Sequence, residues 1–381
     1  MTAAKKPALQ VRGADSLPAL VPHLVGFHPD RSLVAVGLGT EEGTVAVTMR
    51  LDLPPSPAAS AEAAGGGRRA GSDDVTPPSV EVQWEPCIAA LRRVEAGAVL
   101  LVVYPDPADD PWRDPVPRDL PHRDLVAGVT ELLVDAGFAV PEAICVVGDR
   151  LRSYSCADPA CCPVGGRLVD TRESLRVRTA LIALGSAPLP SRSALAAILT
   201  PREPGDPMRR LVRRAARVEP PHPGAVKQEV REWVAGLAVW GGRPSEDPEL
   251  ARLAGDAIRL CAQIPLRDAL LHVVTGDARR ALLPPARRVL TEAVRSAPRA
   301  ARCGVAAALA VCAWVDGDGA SARVALEAAI AVDPYHSLAT LVMAALDRGL
   351  PPDAWVALMA DLDLDDILRG PEHRAGDDRA S

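Results

Sequence analysis

Aromatic residues make up only 3% of the chain. That scarcity removes the interleaved rings on which a single-strand nucleic-acid platform stacks bases. Lysine is nearly missing too: Lys5, Lys6 and Lys227 are its only instances, and arginine supplies almost all positive charge. Acids still outnumber bases, for a net charge of −6, which argues against a general nucleic-acid or membrane binder. The longest apolar run, Gly304 to Val315, is too short to cross a bilayer. No apolar segment follows Lys5 and Lys6; Pro7, Arg12, Asp15 and Pro18 interrupt it, so no secretory signal is read. Also missing are GxGxxG, a Walker loop and HExxH, so the common nucleotide and metalloprotease mechanisms lose their sequence support. The expectation is a cytoplasmic protein whose eight cysteines are mostly reduced.

What is present is enough to fold. The chain has 381 residues, 48% of them apolar, and two domains is the natural reading. Residues 1–170 read as an α/β domain with a mixed sheet of roughly five to seven strands. Thr44 to Leu53 alternates apolar and polar, the signature of a half-buried strand. Leu33–Leu38, Ala98–Tyr104 and Ile144–Val147 are short apolar runs, also strand-like. Leu151–Ser155 and Arg167–Val169 would return beside the last of these as a meander. Trp84, Ile88, Leu91 and Val94 recur at helical spacing, with Pro86 in the first turn, and a second helix runs from Leu125 to Ala136. Ser16–Leu24 carries two prolines and is too broken for a long helix. The stretch 54–80 is Pro, Ala, Gly and Ser around Gly65-Gly66-Gly67, too poor in apolar surface to order, and reads as a disordered insertion.

From residue 171 to 369 only helical patterns recur, from Ser174–Leu184 to Pro352–Ala360, separated by prolines and glycines. Residues 370–381 are polar and read as a flexible tail. Measured back from Pro334, Leu309, Ala310, Ala322, Leu326 and Ala329 match positions of a tetratricopeptide repeat, with Gly317-Asp318-Gly319 as its turn. The fold class is therefore an α/β N-terminal domain with a mixed sheet, followed by an all-α, tetratricopeptide-like domain of helical hairpins.

Several separated segments carry a family resemblance. They are Pro22–Pro29 with Ser32-Leu33-Val34, Arg50–Pro54, Ser153–Cys156, Cys161-Cys162-Pro163, Leu266–Leu270, and Ala313–Ala320 leading through Ala325-Leu326-Glu327 to Asp333-Pro334. Together the chain resembles an actinobacterial family described as domain of unknown function 4192. The resemblance spans nearly the whole chain and implies no reaction.

Three cysteines within seven residues, Cys156, Cys161 and Cys162, form the densest chemical cluster. Thiolates bind Zn²⁺ tetrahedrally, and a loop brings several together. A full site needs a fourth ligand, for which Cys145, Cys87, Asp158 or His122 are candidates. A second reading is a reactive thiol or vicinal disulfide, activated by Arg150, Arg152 or Arg167. A third is a rigid loop whose small thiols pack inward. All three stay open in the sequence.

Gly26–Ser32 offers Phe27, His28 and Ser32 in a turn that leads into a strand and can hold a ligand, and Tyr154 flanks the cysteine loop. Against a ligand role, Phe27 packs inward and Ser32 satisfies backbone in many such turns. In the helix expected at Met208–Val218, Arg209, Arg210, Arg213, Arg214 and Arg217 share one arc, suited to an acidic partner or to solvent. Arg267-Asp268 is a ligand candidate whose simplest role is a structural ion pair. Two functions remain. One is an interaction or regulatory protein that docks a protein partner through its helical domain. The other is an enzyme or sensor that uses the Cys156/Cys161/Cys162 loop for metal, zinc above all, or for redox chemistry.

Overall fold

The computed structural model describes residues 13–40, 44–54, 80–113, 119–217, 226–243 and 247–369. The expected insertion at 54–80 (its end residues apart), the lysine-bearing segment 1–12 and the tail 370–381 lie outside the described residues. The chain divides into two compact units, Met1–Arg192 and Ser193–Ser381.

The first unit is built on a six-stranded mixed sheet. Its strands are β1 (Ser32–Gly39), β2 (Val45–Asp52), β3 (Ala96–Tyr104), β4 (Ala139–Val147), β5 (Arg150–Ser153) and β6 (Arg167–Leu168). Their spatial order is β2-β1-β3-β4-β5-β6, and only β3 and β4 pair in parallel. A parallel pair needs a crossover, and helix α3 (Arg123–Asp135) supplies it. The stripe Val126, Val129 and Leu133 packs with Trp84 and Leu91 of α2 (Val80–Arg93) onto Leu33, Leu101 and Val103. Central strands buried on both faces become continuous apolar runs, which is why β1 and β3 lack the alternation of the edge strand β2.

Two boundaries in this unit differ from the sequence reading. Strand β4 begins at Ala139 rather than Ile144, because a register shift opposite Ala98–Leu100 accommodates Pro141. Helix α2 begins at Val80, so Pro86 lies inside it and not in its first turn. Leu17–Val25 forms a short helix, α1, with Pro18 in the first turn, where no N–H is needed, and Gly26 at φ 81° ending it. Its residues Ala19 and Leu20 pack on Val177 of α4 (Thr171–Ala183).

The second unit is helical, and among the described residues no strand follows β6. Its helices are α5 (Arg192–Ala197), α6 (Pro207–Ala215), α7 (Val226–Trp240), α8 (Pro248–Cys261), α9 (Ile264–Thr275), α10 (Arg279–Ser296), α11 (Arg299–Val315), α12 (Gly319–Ile330), α13 (Ser337–Asp347), α14 (Pro352–Ala360) and α15 (Leu364–Arg369). Helix α10 starts before Pro284-Pro285 and runs through both, at the cost of two N–H donors in its second turn. The hairpin α11–α12 turns at Gly317 (φ 85°), and the Asp318 carboxylate accepts the Ser321 N–H at 3.0 Å. Ala306, Ala310 and Ala313 face a partner helix with Ala322, Ala325 and Ala329, all fully buried. Small residues at such a crossing let the helices approach closely, a packing consistent with the tetratricopeptide-like expectation. Against α8, helix α11 comes close at Gly304, where a Cβ would stand 2.5 Å from the Cys261 carbonyl oxygen. No helix among the described residues is long and apolar enough to cross a membrane.

Candidate functional site

The cysteine loop connects β5 to β6 in an antiparallel meander with β4. Its start is fixed by Ser153, whose hydroxyl donates to Glu142 Oε1 at 2.7 Å and accepts the N–H groups of Ser155 and Cys156. Asp158 then makes a tight turn: its carboxylate accepts the Ala160 N–H at 2.8 Å and its carbonyl accepts the Cys162 N–H at 2.7 Å. This turn folds Cys161 and Cys162 back toward Cys156. The far side of the loop is clamped from the framework. Arg150 donates to the Gly165 carbonyl at 2.8 Å, and the Trp112 indole donates to the Val164 carbonyl at 3.2 Å. Gly166, at φ 68°, lies under the Trp112 ring, where a Cβ would stand 2.7 Å from ring carbons. Arg167 closes the loop in an ion pair with Asp15.

The result is three sulfurs all within 4.8 Å of one another. Cys162 Sγ donates to Cys161 Sγ at 3.9 Å, with no disulfide between them. Tetrahedral coordination at a Zn–S distance of about 2.3 Å puts neighbouring sulfurs roughly 3.8 Å apart, so this edge already fits. Cys162 is buried, Cys156 half-buried and Cys161 exposed. A hydrogen bond with Cys162, reinforced by the charges of Cys162 and Cys156, pushes the Cys161 thiol up to about 11. The Cys161 thiol thus holds its proton more tightly than a free thiol. Of the three guanidiniums that were candidate activators, Arg150 is engaged on backbone and Arg167 on Asp15, whereas Arg152 keeps its buried Nε without a partner.

Among the described residues no fourth His, Cys, Asp or Glu joins the cluster. Cys145 lies buried in β4, pushed up to about 12 by burial, and Cys87 is pushed up to about 11 for the same reason. His122 sits at the start of α3, held below its ordinary value by burial. Cys161 is the solvent-facing member of the three.

The remaining candidates lie elsewhere. The Tyr154 hydroxyl donates to the Pro121 carbonyl at 2.7 Å. Phe27 is buried, bridged to Leu189 through the bond from the His28 N–H to the Leu189 carbonyl. Ser32 is fully buried, donating to the Asp30 carbonyl at 2.6 Å and accepting from Arg50 Nε at 2.8 Å. His28 and Pro29 of that turn open onto a cleft of ≈430 Å³, beside Tyr104 and Arg178. Burial first, then the Arg178 charge, holds the His28 imidazole below the usual range. Arg267 and Asp268 form an ion pair at 2.7 Å near the start of α9, with Arg267 buried. Sequence reasoning did not single out Ser153, Glu142 or Trp112 as the supports of the cysteine loop. A tryptophan stranded in a proline- and aspartate-rich segment was the one signal available.

These features define a class: a mixed α/β unit bearing a three-thiol loop, followed by a helical-hairpin unit. The family model Domain of unknown function (DUF4192) matches residues 15–353, and the chain belongs to that family. No curated protein and no solved structure matches it.

Proposed function

We propose that the first unit is a zinc-binding module whose ligands are Cys156, Cys161 and Cys162. The observation that carries this reading is the convergence of three sulfurs on a loop clamped at both ends. Binding would replace thiol protons by the ion, since the thiolate is the ligand. Closed structural zinc sites have four protein ligands; three ligands and an exposed Cys161 leave the ion open to exchange. That geometry suits a metal sensor or carrier in a reducing, cytoplasmic setting, where the thiols stay free. Elemental analysis of untagged protein tests it: one zinc per chain is expected, falling to background in Cys156→Ser and Cys162→Ser. Protein that purifies without metal and takes up none from stoichiometric zinc would refute it.

A second reading, that the helical unit docks an acidic protein partner, is favoured by a cluster of arginines. Arg209, Arg213, Arg299 and Arg302 stand close together, and burial, then their mutual charge, holds Arg302 below its ordinary range. Arg209 and Arg213 are turned onto backbone carbonyls at Arg202, Ser296 and Ala297, so this part of the basic face of α6 is not simply solvated. Fluorescence anisotropy with a labelled glutamate-rich peptide is expected to show binding that Arg299→Glu with Arg302→Glu removes. Equal binding of a neutral peptide of the same length would contradict it.

A further inference from the structure

The second unit contains a cavity of ≈520 Å³. Small-molecule sites typically occupy about 300–1,000 Å³. One face of α10 forms its floor, with Pro284, Arg287, Arg288, Thr291 and Arg295 recurring at helical spacing. Its wall is apolar and comes from other helices and their flanks: Leu195, Leu199, Trp240, Leu250, Leu309 and Val324.

The polar groups in it are unequal. Arg287 is held by Asp316 and Asp318, Arg295 lies 3.7 Å from Glu292, and Arg243 lies 3.9 Å from Asp247. Arg288 has no carboxylate partner among the described residues. It donates to the Gly242 carbonyl, and its guanidinium stands 5.9 Å from the centre of the Trp240 ring. Two buried donors in the lining, Trp240 Nε1 and Arg295 Nε, also have no partner. Trp240 itself is 1% exposed. Buried donors without acceptors are uncommon in folded proteins, and each marks a place where an acceptor is missing. The carboxylates of the lining, Glu292 and Asp316, are already engaged by arginines. The cavity thus offers apolar surface and unpaired donors, while both of its carboxylates are already taken.

We infer that this cavity binds a small amphipathic carboxylate, its apolar body against the Leu/Trp240 wall and its carboxylate on Arg288. A neutral ligand of the same shape would use the wall but leave the guanidinium without a carboxylate. A hydrophilic anion would find Arg288 but waste the wall.

Titration calorimetry of the full chain with decanoate and decanol, both below their aggregation limits, tests this. Decanoate should bind the parent protein more tightly than decanol by roughly ten- to a hundredfold, the worth of one charge-assisted contact. In Arg288→Met, and equally in Arg288→Gln, decanoate should fall to the affinity of decanol. Arg288 is exposed, so both variants should still fold and melt in a cooperative transition. Thr291→Trp, which fills the floor, should remove both ligands. Equal affinities on the parent, no binding of either compound, or decanoate binding untouched by loss of Arg288 would each overturn the inference.

Discussion

An Arg202→Met variant is expected to lose about 3–5 kcal/mol of stability in the helical unit, the usual cost of orphaning one member of a buried ion pair. Arg202 grips Glu292 with two parallel bonds, Nε to Oε1 at 2.6 Å and Nη2 to Oε2 at 2.8 Å. Glu292 is 4% exposed, on α10. Without Arg202 its carboxylate keeps only the Ser296 hydroxyl at 2.7 Å and the more distant Arg295 at 3.7 Å. The converse prediction separates charge from packing. Adding Glu292→Leu should recover much of the loss, because a buried pair replaced as a unit by apolar groups often costs little. Urea unfolding of the two single variants and the double variant, followed by helical circular dichroism, measures both. A single-variant loss under about 1 kcal/mol is what a surface pair would give, and would contradict the buried role.

Trp233→Ala should cost a similar amount, about 3–5 kcal/mol, by a different route. Trp233 lies on α7 and is 1% exposed, and its indole N–H donates to the Leu253 carbonyl on α8 at 2.9 Å. Truncation leaves a large cavity among Leu237, Leu253 and their neighbours and frees that carbonyl. Trp233→Phe should fall between, restoring most of the volume but not the hydrogen bond. The same unfolding curves decide it: equal stability of the alanine and parent proteins would mean that α7 does not pack on the core through this ring.

How much of this was legible before folding depends on what each feature needs. Strand β2 and the helices from α4 to α14 were legible because a single local period reports them, and β1 and β3 because a strand buried on both faces is a short continuous apolar run. The start of β4 was not, since Pro141 and Glu142 interrupt the apolar run and only a register shift against β3 makes room for them. The prolines of α10 hid its first turn for the same reason: a local rule was overridden by tertiary packing. At the site, proximity in sequence named Cys156, Cys161 and Cys162, but not their convergence. That depends on the Asp158 turn and on Ser153 and Arg150, which are held by the meander. Proximity could not say which candidates share a place either. His28 precedes β1 at the end where Ser32 pairs with Tyr104, whereas the cysteine loop leaves β5 at Ser153, opposite Ile144. The cavity over α10 was invisible, because helices distant in sequence build it and none carries a motif.

X-ray absorption at the zinc edge, on full-length protein loaded with one equivalent of zinc, addresses the three-thiolate centre most directly. The expected spectrum has three sulfur neighbours at about 2.3 Å and one oxygen or nitrogen at about 2.0–2.2 Å. A shell of oxygen and nitrogen alone, with no sulfur, would show that the ion does not sit among Cys156, Cys161 and Cys162.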